Sequence, residues 1–234
     1  MGILIEAAVA KTNKYASRES GDTVEIVERP TGGISVIVAD GQGSGRAAKA
    51  LSLLVTARAV SMLKDGVRDG AVARGVADIL FAMRGGQVSA TLDILSADAK
   101  TGTLIATRCS SSPLLVGTAG DLATIPGLAG PLGVRHLGRP EVHSWPLEPG
   151  LWAIAGTDGI FGGEPAAGAA AISDLATGMM KDSYAQAVAD ALLAGAIARD
   201  GGKPRDDMSV AVLRAASHEE EPRIRRMTIR VPLP

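Results

Sequence analysis

Strand-like and helix-like patterns come in blocks along this chain instead of alternating, and that grouping limits its fold more than any other feature. The first forty residues hold extended runs at Ile3–Ala10, at Thr23–Glu28 with polar and apolar side chains alternating, and at Ile34–Ala39. The last follows the turn sequence Pro30-Thr31-Gly32-Gly33 and stops at Asp40. From Gly45 the period changes. Leu51, Leu54, Val55, Ala59 and Met62 recur at helical spacing, which predicts a helix ending near Asp65-Gly66, and a second helix is expected over Ala71–Met83. Extended runs then return at Val88–Ser96, Thr103–Cys109, Leu114–Val116, Val142–Leu147 and Leu151–Ala155. The first two of these flank a hairpin loop at 98–102, and Glu148-Pro149-Gly150 turns between the last two. Gly117–Gly138, rich in Gly and Pro, reads as a mobile surface loop. Ala-rich Tyr184–Arg199 reads as a helix, Asp206–Leu213 as a final core strand, and Arg223–Val231 as an edge strand or an ordered tail.

Alternating elements would build a doubly wound parallel sheet; grouped ones argue against it. The expectation is an α+β chain with two packed antiparallel sheets and helices outside. One domain is expected over residues 1–216, with 217–234 as its edge strand or tail. Hydrophobic residues make up 46% of the chain but Phe, Trp and Tyr only 3%, so the core must be aliphatic and base-stacking platforms are scarce. A formal net charge of -1 gives no pull toward nucleic acid or anionic lipid. The single cysteine, Cys109, excludes an intrachain disulfide and a CxxC metal site and fits a reducing cytoplasm. Met1–Ala10 is too short to span a bilayer, contains Glu6 and lacks a basic flank, so neither a membrane span nor a signal peptide is expected.

Acidic dipeptides stand at the ends of three apolar runs. Asp40-Gly41 follows Val36–Ala39, Asp158-Gly159 follows Trp152–Thr157, and Asp206-Asp207 opens Met208–Leu213. Taken singly, Asp-Gly is a common turn. An apolar strand, however, delivers a side chain to a sheet rim with little freedom, and a following Gly permits a sharp turn with an accessible carbonyl. Carboxylates gathered there repel one another unless a cation neutralises them, and oxygen donors without His or Cys suit Mg²⁺ or Mn²⁺. Other features carry less. Gly41-x-Gly43-x-Gly45 lacks the further residues of a dinucleotide fingerprint or a P-loop. His136, His143 and His218 have no ligand spacing, and Ser110-Ser111-Ser112 reads as a polar turn without a nucleophile elbow. Glu219-Glu220-Glu221 with Arg223, Arg225 and Arg226 reads as a solvated zwitterionic tail.

Val38-Ala39-Asp40-Gly41-Gln42-Gly43-Ser44-Gly45-Arg46, Gly156-Thr157-Asp158-Gly159-Ile160 and Arg205-Asp206-Asp207-Met208-Ser209-Val210-Ala211-Val212-Leu213 occur in that order. Together they resemble the core motifs of metal-dependent PPM (type 2C) protein serine/threonine phosphatases, in the bacterial SpoIIE/RsbU/RsbX-like branch, over Lys11–Leu213. The resemblance implies a four-layer α-β-β-α sandwich and hydrolysis of phosphoserine or phosphothreonine by a hydroxide bridging two Mn²⁺ or Mg²⁺ ions. It implies Asp40 as the bridging ligand, the carbonyl of Gly41, and Asp158 and Asp206 on the first ion. Asp22, in Ser20-Gly21-Asp22, is implied as the early-strand acid. Arg18, four residues earlier, matches a phosphate-binding position and is equally well read as a solvated surface residue. Asp207 is left outside the ligand set. The chain departs from many eukaryotic relatives in carrying Gln42 where they have a proposed general-acid His, and no acid for a third ion is evident near Arg84–Gln87. The implied partner is a phosphorylated regulatory protein, such as a STAS-domain antagonist. A catalytically weak phosphoprotein-binding regulator with the same fold, or a phosphohydrolase of small esters, would share these motifs.

Overall fold

The computed structural model describes residues 2–134, 139–181, 183–219 and 224–231; Met1, His136, Gly138, Glu220, Glu221 and Arg223, named above, lie outside them. The first block contains β1 (Gly2–Thr12), β2 (Asp22–Glu28), β3 (Gly33–Gly41), α1 (Gly45–Lys64) and α2 (Asp69–Arg84). Next come β4 (Ala90–Asp98), β5 (Thr103–Cys109), β6 (Leu114–Thr118), β7 (Asp121–Ile125), β8 (Glu141–Pro146) and β9 (Trp152–Gly156). The chain continues with α3 (Asp158–Phe161), α4 (Pro165–Met180), α5 (Ala185–Arg199) and β10 (Met208–His218). Two five-stranded sheets result, in orders β1-β10-β9-β6-β7 and β2-β3-β4-β5-β8. Every pairing within them is antiparallel.

The period of two along each strand sorts side chains into layers. On β3, Ile37 and Ala39 join Leu51, Val55 and Leu63 of α1 and Val72, Val76 and Leu80 of α2. Val36 and Val38 turn the other way and meet Ala211 of the opposite sheet. Leu95, Leu104, Leu114, Ala153 and Leu213 extend this inter-sheet core. On β9 and β10, Trp152, Ile154, Val210 and Val212 face Ile172, Val188 and Leu192 of α4 and α5. The layers are therefore helix, sheet, sheet, helix. Each fully buried Val, Leu or Ile contributes about 1.5–3 kcal/mol over exposure.

Two buried ion pairs cross this framework. Arg29 Nη1 donates to Asp69 Oδ1 at 2.8 Å and to Ser35 Oγ at 3.2 Å, tying the start of α2 to the sheet. Arg108, fully buried, lies 3.9 Å from Asp93 and donates to the carbonyls of Ile125 and Pro126. The Asp93 carboxyl accepts from Ser110 Oγ at 2.9 Å; burial, only partly offset by Arg108, pushes its pKa up to about 6.

Several sequence expectations change. The segment read as a loop, 117–138, carries β7, whose Leu122 and Ile125 are half-buried against the sheet. Residues 165–180, left unassigned, form α4, with Pro165 at its first position. Asp158-Gly159 opens a single helical turn instead of ending in a sharp reversal. β10 runs on to His218, and residues 224–231 form no strand, with Ile224, Met227, Ile229 and Val231 exposed. Among the described residues, no helix is long and apolar enough to cross a membrane.

Candidate functional site

One end of the gap between the sheets is lined by strand termini from both. In the β2–β3 ladder Asp22 pairs directly with Asp40, and Val24 with Val38. Asp22 and Asp40 therefore share the face of Val38, which points into the gap. From the other sheet, Val210 pairs with Gly156, so Thr157-Asp158 leaves β9 beside the residues that open β10. The Thr157 hydroxyl donates to Asp22 Oδ2 at 2.9 Å and accepts from the Ser209 N–H at 3.0 Å, bridging the two sheets. Asp158 and Asp206 line a common cleft of about 490 Å³ with Gly159, Arg199, Asp200 and Arg205.

The electrostatics report the same convergence. Burial, reinforced by the charges of Asp22, Asp158, Asp206 and Asp207, pushes the Asp40 carboxyl up to about 8. Burial raises Asp22 to about 6, with the Thr157 hydroxyl pulling the other way. Asp158 is also raised, by burial and by Asp206. Carboxyls held this far up are under strong pressure to accept either a proton or a cation.

Glycine is required beside two of these acids by close approach rather than by backbone conformation. Neither Gly41 nor Gly159 has a positive φ. A Cβ on Gly41 would strike the carbonyl oxygen of Ala48, and one on Gly159 would strike that of Asp207. The Gly41 carbonyl faces the same region, since a Cβ on Gly21 would lie 3.7 Å from its oxygen.

Residues outside the expected ligand set hold this rim in place. Asp207 accepts from the Lys14 N–H (2.8 Å, Oδ1) and the Gly21 N–H (2.7 Å, Oδ2), fastening the segment that leads into Asp22. Arg199 donates to the carbonyls of Gly159 (2.7 Å) and Ile160 (2.6 Å), pinning the turn that carries Asp158. Lys11 and Lys49 both donate to the carbonyl of Asp22, at 3.0 and 2.7 Å. Thr157 lies within the Gly156–Ile160 motif, which is the signal for it; Arg199 and the lysines carry no local signal. Gln42 N donates to the Ser89 carbonyl, and its side-chain oxygen accepts from Ser89 N–H at 2.9 Å, so this residue is a clamp. Arg18 is exposed and lines neither this cleft nor the one at Lys11 and Lys49.

Every candidate donor at the rim, from Asp22, Asp40, Gly41, Asp158 and Asp206, is an oxygen. Among the described residues no three acidic, His or Cys side chains stand close enough together, as they are placed, to hold a metal ion by themselves. An open array of carboxylates and one carbonyl fits Mg²⁺ or Mn²⁺, hard ions that use few protein ligands and keep part of their water. It suits zinc less well, because zinc sites draw on His or Cys and this rim offers neither.

Residues 30–216 match the family model for Stage II sporulation protein E (SpoIIE). No curated protein matches the chain in sequence. The chain superposes on the PP2C phosphatase domain of SpoIIE from Bacillus subtilis, solved with a fragment of its regulatory domain, with a TM-score of 0.81 at 23% identity. That match covers 93% of this chain and 65% of the other. The RsbU and RsbW domains of a Mycobacterium tuberculosis protein give a TM-score of 0.75 at 20% identity, covering 92% and 61%. RsbX in complex with magnesium gives 0.69 at 16%, covering 91% and 96%. The chain thus spans less than two thirds of the first and second of these structures.

Proposed function

This chain belongs to the SpoIIE family, and from that premise we propose that it is a metal-dependent protein phosphatase. It would hydrolyse phosphoserine or phosphothreonine on a regulatory protein, with two Mn²⁺ or Mg²⁺ ions as cofactors. The observation that carries this reading is the meeting of carboxylates from both sheets at one rim, where Asp22 faces Asp40 and Thr157 joins Asp22 across the gap. A pure binding module has no need to hold several mutually repelling carboxyls together.

In this reading the carboxylates of Asp22, Asp40, Asp158 and Asp206 and the carbonyl of Gly41 would hold the ions, with Asp40 as the central ligand. When bound, such ions supply a water of lowered pKa and neutralise charge on the phosphoryl oxygens. The chain's own residues set the geometry: Thr157 orients Asp22, Arg199 fixes the Asp158 turn, and Asp207 fixes the approach to Asp22. Gln42 carries no proton to give at neutral pH and is tied to Ser89, so the serine leaving group takes its proton from water. Of the guanidiniums available to a phosphate, Arg205 lines the cleft and Arg18 does not, so the phosphate contact is assigned first to Arg205, with Arg18 the second candidate. The similarity to structures of RsbU and RsbW domains supports a regulatory phosphoprotein partner, and a phosphorylated STAS-domain antagonist in the cytoplasm is the form we propose.

The test is turnover of p-nitrophenyl phosphate, a phosphoserine peptide and a phosphotyrosine peptide with added Mn²⁺ or Mg²⁺. Metal-dependent turnover that favours the phosphoserine peptide and is nearly lost in Asp40→Asn is expected. Absence of turnover with either metal, or turnover insensitive to chelation, overturns the reading.

A further inference from the structure

Beside the acidic rim, on the α1 side of Asp22, lies a cleft of about 540 Å³ lined by Lys11, Asn13, Ser20, Arg46, Lys49 and Leu53. Arg46, Lys49 and Leu53 stand at i, i+3 and i+7 on α1 and so share one helix face. Lys11, on β1, supplies a third cation; Glu19 is the one acid in the lining, while Asp22, Glu25 and Asp207 act on the lysines from beside it. The lysines are held in place: Lys11 Nζ donates to the Asp22 carbonyl, and Lys49 Nζ to that carbonyl and to Thr23 Oγ1 at 2.9 Å. Each ammonium has three N–H donors, so described contacts leave donors on both unclaimed. Arg46 makes no hydrogen bond or ion pair among the described residues, and Leu53, 45% exposed, adds an apolar wall. The first turn of α1 has no side-chain cap and no acidic residue, so its positive end adds to the same field.

We propose that this cleft binds an acidic side chain next to the phosphorylated residue of a protein substrate, and so selects phosphoserines in acidic sequence. Both lysines grip the carbonyl of Asp22, whose side chain belongs to the rim, so cleft and rim adjoin. An extended peptide advances roughly 3.3–3.6 Å per residue, so a neighbouring Glu reaches the cleft while the phosphoserine occupies the rim. The proposal rests on the phosphatase reading of the rim.

Binding of non-hydrolysable phosphonate peptides separates the two ideas. Two fluorescent peptides would differ only in Glu or Gln flanking the phosphonate, with anisotropy read at low ionic strength and circular dichroism as a check on folding. The native chain is expected to bind the Glu peptide about tenfold more tightly. That ratio should fall to about twofold or less in Arg46→Gln/Lys49→Gln and to an intermediate value in Arg46→Gln alone, which breaks no described contact. Equal binding of the two peptides by the native chain, or an unchanged ratio in both variants, overturns the proposal. Lack of turnover of the corresponding phosphoserine peptides would overturn the phosphatase reading instead, and the binding ratio would still decide the cleft.

Discussion

Asp207 gives a prediction whose size follows from its contacts. Its carboxylate, nearly buried, accepts from the backbone N–H groups of Lys14 and Gly21 at 2.8 and 2.7 Å. A hydrogen bond to a charged group is worth about 1.5–3 kcal/mol net, so Asp207→Ala forfeits about 3–6 kcal/mol and strands the buried Gly21 N–H. Removing one negative charge from beside Asp22 and Asp40 returns on the order of 1–2 kcal/mol. The net loss should be about 2–4 kcal/mol, and Asp207→Asn, which keeps one acceptor, should lose about half of that. Urea unfolding at neutral pH in chelator measures both. Because the same two bonds hold the segment leading into Asp22, Asp207→Ala should also weaken Mn²⁺ binding about tenfold or more. A variant within about 0.5 kcal/mol of the native chain would refute the reasoning, since that is the size of an ordinary surface change.

Further outcomes follow from other residues. Asp69→Ala leaves the buried Arg29 guanidinium without its carboxylate and should lose about 3–5 kcal/mol in the same unfolding assay, with little effect on metal affinity. Gly159→Ala forces a Cβ against the Asp207 carbonyl and should lose about 1–3 kcal/mol or more, together with activity, as read by melting and by turnover. The Cys109 thiol is fully buried and its pKa is pushed up to about 12, so it should resist a thiol reagent in the native chain and react only in denaturant. Burial raises the Asp93 pKa from 3.8 to about 6, so its contribution to stability is full below the lower value and lost as pH rises through the higher. Asp93→Asn should flatten the fall in stability across that window, measured by denaturation at several pH values.

The strands that flank the rim were legible because each joins an apolar run to an abrupt acid. Val36–Ala39 before Asp40 fixes both a buried strand and the place where its side chain must leave the core. β7 escaped because only Leu122 and Ile125 of its five residues turn inward, which is too little alternation to register amid Gly and Pro. α4 escaped because Gly168 reads as a breaker; in the fold it is there because a Cβ would strike the Phe161 carbonyl where α3 meets α4. Arg29 with Asp69 and Arg199 with Gly159 are each forty residues apart, so no local pattern pairs them. Asp-Gly in sequence suggests a sharp turn, but close packing is what demands glycine at 41 and 159.

The central claim is that carboxyls drawn from both sheets hold divalent cations at one rim, with Asp40 in the middle. Isothermal titration of Mn²⁺ into the metal-free chain, and into Asp40→Asn, tests it directly. The native chain should bind, and the variant should bind at least about tenfold more weakly because it loses the proposed central ligand. No binding by the native chain, or equal binding by the variant, would contradict it.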